Sequence, residues 1–182
     1  MDDKTVYTIG HSNILLGKFI DLLEKFEINI VIDVRSTPYS RYASQFNREN
    51  LKISLRDQGI EYNYAGDLLG GRPEDPDCYK NNSVPQGSAD YLNLVDYAAV
   101  MAKEFFLEGI QLVYELRAKE RVALMCSEED PAKCHRHHLI GRYLVDQGVN
   151  VIHIRGDGNT AKDQTLPNVS DDPQAEQLGL FQ

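Results

Sequence analysis

The sequence predicts an α/β domain: a three-layer, Rossmann-like arrangement in which a mostly parallel sheet of about five strands carries helices on both faces. Three observations predict it. Short β-rich runs alternate with segments at helical spacing in the order β-α-β-α-β-α-β-α-β. The run INIVIDVRS, residues 28–36, is apolar on both faces, as a strand covered on both sides must be. Glycines stand where helices should close, at Gly59 and Gly148.

The elements follow in order. VYTIG, residues 6–10, reads as the first strand, and Phe19, Leu22, Leu23 and Phe26 mark an amphipathic helix over 15–27. Residues 28–36 form the second strand. A polar, aromatic-containing loop over 37–47 leads to a helix ending at Gly59, and residues 60–65 form the third strand. Residues 66–90 are rich in Gly, Pro, Asn and Asp and read as a long irregular loop, of a length that is usually functional or mobile. Helical pattern resumes over 91–119 with a break expected near Gly109. VALMC, residues 122–126, is a buried strand. Asp130 and Pro131 supply an N-cap and a first-turn proline for a helix reaching Gln147. VNVIHIR, residues 149–155, is the last strand. The expected division is therefore one domain over 1–155 and a polar tail over 156–182.

Bulk properties narrow the function classes. The 182 residues are 42% hydrophobic and 26% charged, an ordinary globular composition for one sizeable domain. No apolar run approaches the roughly 20 residues that cross a bilayer. The opening MDDKTVYTIG carries acids where an export signal carries a basic stretch, so a cytoplasmic location and no membrane partner are expected. Three cysteines in that setting read as core, metal-ligating or catalytic thiols rather than structural bridges. A formal net charge of −9 argues against strong direct binding of nucleic acid, which needs cationic surface.

In parallel sheets of this kind the ligand sits beyond the carboxyl ends of the strands. That rule selects the residues of interest. His11 and Ser12 follow the first strand, Asp33 and Arg35 end the second, and Cys126 ends the fourth ahead of Cys134-His135-Arg136-His137-His138. Cys126, His11, Asp33 and Arg35 are the expected catalytic group: a thiol nucleophile or acid/base, with His11 and Asp33 positioning protons. Ser12, Gly71, Arg72, Cys134, His135 and Arg136 are the expected substrate-binding group, with the arginines holding an anion such as phosphate. His137 is expected to be exposed, because Leu139, Ile140, Tyr143 and Leu144 define the buried helix face. The spacing C-x7-C-H-x2-H differs from short zinc knuckles, so no metal is favoured. Were zinc or iron bound, Cys126, Cys134 and His135 would hold it, with His138 and His11 nearby.

These motifs carry a resemblance. TIGHSN at 8–13, IDVRSTPYSRYASQFN at 32–47, LLGGRP at 68–73 and LMCSEEDPAKCHRHHLIGRYL at 124–144 resemble the family called domain of unknown function 488, which implies no activity. IDVR at 32–35, LMC at 124–126 and DQGVNVIHIRGD at 146–157 are similar in order to rhodanese-type sulfurtransferases, which would imply sulfur transfer through Cys126. The loop after Cys126 departs from that pattern, being longer and acidic.

QLGLF at 177–181 resembles the pentapeptide with which bacterial polymerases and repair proteins dock on the sliding clamp. Gln177, Leu178, Leu180 and Phe181 would be the anchors, presented on a polar tether. The expected function is an enzyme acting on a nucleotide or nucleic-acid component. An anion-binding or sensing module without turnover and rhodanese-like sulfur transfer are the alternatives.

Overall fold

The computed structural model describes residues 5–87 and 89–166. A six-stranded sheet runs in the order β3-β2-β4-β1-β5-β6, formed by β1 (Thr5–Gly10), β2 (Ile30–Asp33), β3 (Glu61–Tyr64), β4 (Val122–Cys126), β5 (Asn150–Ile154) and β6 (Thr160–Lys162). The first five strands pair in parallel. β6 pairs antiparallel with β5. The sheet thus has one strand more than the sequence suggested, and the domain continues past Arg155. β6 was illegible because it is three residues long and lies on the partly exposed edge.

Alternation along the strands assigns the helices to their faces. Ile9, Val31, Ala123 and Met125 point to one side. There they meet Phe19, Leu22 and Leu23 of α1 (Leu16–Lys25) and Leu51 and Leu55 of α2 (Arg48–Arg56). Val6, Ile30, Ile32, Val122, Leu124 and Val151 point to the other. They are covered by Phe106, Ile110 and Val113 of α6 (Glu104–Arg117) and by Leu144 of α7 (Arg142–Asp146). Each such side chain contributes about 1.5–3 kcal/mol on burial.

The helical stretch after Asp90 is divided differently from the expectation. α3 (Gly66–Leu69) lies inside the presumed loop, and α4 (Tyr91–Leu94) and α5 (Tyr97–Met101) precede α6 as separate short helices. Asp90 and Asp96 break the stretch by capping α4 and α5 through their side chains. Gly109 interrupts nothing. It lies within α6 where a Cβ would stand 2.6 Å from Leu69 Cγ, so its role is close packing of α6 on α3.

The segment after β4 also differs. Asp130 caps only a 3₁₀ turn, Pro131–Lys133, and residues Arg136–Gly141 follow as a π-helix that leads into α7. The wider π turn buries its whole length. His137 is therefore fully buried, not exposed: its Nδ1 lies 2.7 Å from Asp163 Oδ1. His153 Nε2 lies 2.9 Å from the same oxygen, and His153 Nδ1 lies 2.7 Å from Thr8 Oγ1. Thr8 Oγ1 in turn accepts from Arg136 Nε at 3.2 Å. This buried polar chain fastens β6 to β5, β1 and the π-helix.

A pH dependence follows. Burial lowers the pKa of His153 below its ordinary 6.5, with Asp163 opposing. Below pH 6.5 the unfolded chain therefore takes up a proton that the native His153 refuses. His153 alone is expected to make stability fall with acidification by up to about 1.4 kcal/mol per pH unit. Thermal melts of the wild type between pH 7.5 and about 5 check this, and the slope should flatten in His153→Gln.

Candidate functional site

The loops after β1 and β2 cross one face of the sheet, whereas the loop after β4 crosses the other, which opens a crevice at the carboxyl ends of these three strands. A cavity of about 520 Å³ occupies it. Its walls include Arg35, Gly71, Arg72, Tyr91, Tyr97 and Lys133, and its floor holds Cys126, Glu128, Cys134 and His135. A neighbouring cavity of about 310 Å³ holds His11, Ser12 and Asn13. Arg35, Thr37, Tyr39, Ser40, Ser127 and Glu128 line both.

Period-2 alternation places Cys126 on the α6/α7 face of β4, where the turn after Pro131 returns Cys134 to it. Glu128 Oε2 lies 3.1 Å from Cys126 Sγ and 3.2 Å from Cys134 Sγ. His135 Nδ1 is 3.9 Å from each sulfur. The opposite ring nitrogen, Nε2, donates to the Val34 carbonyl at 3.1 Å, which fixes the ring. Gly71 packs flat against that ring, and a Cβ there would stand 2.7 Å from it. Burial raises the Cys134 pKa, yet the hydrogen bond from Cys126 and the charges of Arg136 and His135 outweigh it and hold this thiol well below the usual range. The hydrogen bond with Cys134, then burial, holds Cys126 well above it. Burial raises the Glu128 carboxyl, helped by the negative sulfur of Cys134.

Asp33 and Arg35 form a closed pair on the other face. Arg35 Nε donates to Asp33 Oδ1 at 2.9 Å and Nη2 to Oδ2 at 2.6 Å. Tyr62 Oη donates to Oδ2 at 2.6 Å, and Arg35 Nη2 also donates to the Phe46 carbonyl. Arg35 Nη1 donates to His11 Nε2 at 3.0 Å, so the proton of the neutral ring is on Nδ1, which donates to Ser12 O at 2.8 Å. His11 stacks on Phe46, and burial lowers its pKa to about 4, with the hydrogen bond to Ser12 opposing. Asp33 and His11 thus orient Arg35 rather than reach toward the thiols.

The predicted residues therefore fall into three groups. Cys126, Cys134, His135, Gly71, Arg72 and Arg35 share the main cavity. His11 and Ser12 belong to the adjoining one, and Asp33 lies behind Arg35. Arg136 does not face either cavity. It is fully buried, with Nη1 donating to the Glu128 carbonyl and Nη2 to the Glu129 carbonyl at 2.7 Å. His138 is occupied elsewhere, its Nε2 donating to Ala132 O at 2.7 Å beside the Tyr97 ring. Gln177, Leu178, Leu180 and Phe181 lie outside the described residues.

Sequence reasoning missed Glu128, Tyr91, Tyr97 and Lys133. Glu128 was covered only by the acidic character of the loop after Cys126, and the C-x-E-x5-C-H spacing was the signal available. The tyrosines come from α4 and α5, whose placement no local pattern reveals.

Among the described residues no helix is long and apolar enough to cross a membrane. Neither a comparison with curated proteins nor one with solved structures gives a match. A family model described as domain of unknown function DUF488 matches residues 16–143, which include β2, β4 and the Cys126–His135 segment. The chain belongs to the DUF488 family.

Proposed function

We propose that the protein is a cytoplasmic enzyme that acts on a nucleotide or nucleic-acid component whose anionic group is held in the main cavity. The observation that carries this reading is the convergence of three cationic side chains, Arg35, Arg72 and Lys133, with the Cys126/Glu128/Cys134/His135 group on one cavity of about 520 Å³. That volume suits a nucleotide-sized ligand. Arg72 lies over the Tyr91 ring at 4.6 Å, so a cation and aromatic surface are presented together, as a phosphate-bearing heterocycle requires. Asp33 and His11 fix the Arg35 guanidinium before the ligand arrives, which reduces the ordering cost of binding.

Sulfur transfer is the weaker alternative. Glu128 stands 3.1 Å from the Cys126 sulfur, where an anionic sulfur donor would have to approach. The segment 177–181 adds a recruitment proposal: docking on a sliding clamp would bring this acidic protein to DNA, and pull-down by the full chain but not by residues 1–176 tests it.

The main test is a panel of nucleoside mono-, di- and triphosphates, read first by thermal shift and then by product chromatography. At least one should stabilise the wild type and be turned over. Arg72→Ala should weaken binding about tenfold, the loss of one charge-assisted contact. Cys126→Ala should abolish turnover. Stabilisation with no product would favour a sensing module, and no shift with any nucleotide would overturn the reading altogether.

A further inference from the structure

We propose that Cys126, Cys134, His135 and Glu128 form a binding site for a divalent zinc ion at the floor of the main cavity. Three donor atoms of the right kind converge there, and the Glu128 carboxylate touches both sulfurs. Glu128 Oε2 is 3.1 and 3.2 Å from the two sulfurs, and His135 Nδ1 is 3.9 Å from each. The Cys and His donor atoms lie within 4.8 Å of one another. A tetrahedral zinc with ordinary Zn–S, Zn–N and Zn–O lengths places its sulfur ligands about 3.5 Å from the nitrogen or oxygen ligand. The sulfur-to-nitrogen and sulfur-to-oxygen separations bracket that value, so small shifts seat the ion on the two sulfurs and His135, and the Glu128 carboxylate, which lies outside that three-residue cluster, swings toward His135 to complete the set.

The surroundings favour the same reading. His135 Nε2 donates to the Val34 carbonyl, so Nδ1 faces the sulfurs and offers its lone pair once it gives up its proton to the incoming ion, the orientation given to metal-bound histidines by an outer partner. Gly71 keeps the ring in place from the other side. The charge also balances. Two thiolates and a carboxylate around a dication leave one negative charge. Arg136 is fully buried beside this loop, bonded to the carbonyls of Glu128 and Glu129 and to Thr8, and among the described residues no carboxylate lies in ion-pair contact with it. Binding releases the Cys126 thiol proton to solvent, so uptake strengthens as pH rises. The soft sulfur donors select zinc over magnesium or calcium.

Within the enzyme reading above, Glu128 is the ligand a substrate exchanges with, because it alone of the four lines both cavities. The metal assignment itself needs no substrate and is tested without one. Full-length protein purified without chelator should contain about one equivalent of zinc by elemental analysis. It should also give the visible bands of tetrahedral thiolate-bound cobalt after exchange. Cys126→Ala and Cys134→Ala should each lose the metal, Glu128→Gln should bind it more weakly, and Arg72→Ala should retain it. Should the cysteine variants fail to fold, the wild type decides alone: its zinc must protect two thiols from Ellman's reagent until chelator is added. Wild-type protein that neither carries nor takes up stoichiometric zinc, with both thiols reacting at once, would overturn the proposal. Zinc bound without any nucleotide effect would leave the site standing and remove the substrate assignment.

Discussion

Asp33→Ala is expected to destabilise the protein by about 3–5 kcal/mol, because it leaves a buried guanidinium without its counter-charge. Arg35 is 4% exposed and Asp33 fully buried, so water replaces the lost carboxylate poorly. Both carboxylate oxygens are committed, to the Arg35 backbone N–H and side chain and to Tyr62. For a chain of this length the loss corresponds to a fall in Tm of roughly 6–20 °C. Thermal melts check it. The double variant Asp33→Ala/Arg35→Met should recover part of the loss, since it removes the orphaned charge as well. A single variant within about 1 kcal/mol of wild type would show that the pair is hydrated and contributes little.

Arg136→Met is the second substitution with a large expected effect. Methionine fills much of the volume but leaves the carbonyls of Glu128 and Glu129 and the Thr8 hydroxyl without their donor. Each buried polar group left unpaired costs about 1–3 kcal/mol, so a total of about 3–9 kcal/mol is expected. The consequence is local as well as global. Arg136 pins the loop that carries Glu128, so amide hydrogen exchange over residues 127–130 should accelerate more than in β1 or β4. Uniform acceleration across the sheet would mean that Arg136 supports the fold without specially holding this loop.

The sheet was legible because covered parallel strands leave a strong mark: runs such as IVID and VALMC are apolar on both faces. The strand-end rule then singled out Cys126, His135 and Arg35, which line one cavity, without any side-chain information. What it could not assign was direction. Whether a residue after a strand turns toward α1 and α2 or toward α6 and α7 depends on loop geometry, which is why His11 and Asp33 were grouped with the thiols. His137 was misjudged because a 3.6-residue period was assumed across a segment that adopts π geometry. Arg136 read as an anion holder because guanidinium chemistry suits phosphate and backbone carbonyls alike. β6 carries almost no signal of its own, and Asp163 acquires meaning only when two histidines from distant elements close on it.

The chain running from Arg136 through Thr8 and His153 to Asp163 has a consequence for how the molecule is made. During synthesis β1 emerges early, but the polar chain that begins at its threonine is not closed until residue 163 has left the ribosome some 155 residues later. A nascent chain halted just after β5 would hold five parallel strands but lack Asp163, the last link of that chain. The π-helix and the loop that Arg136 pins therefore settle late, with the antiparallel edge acting as the final fastener.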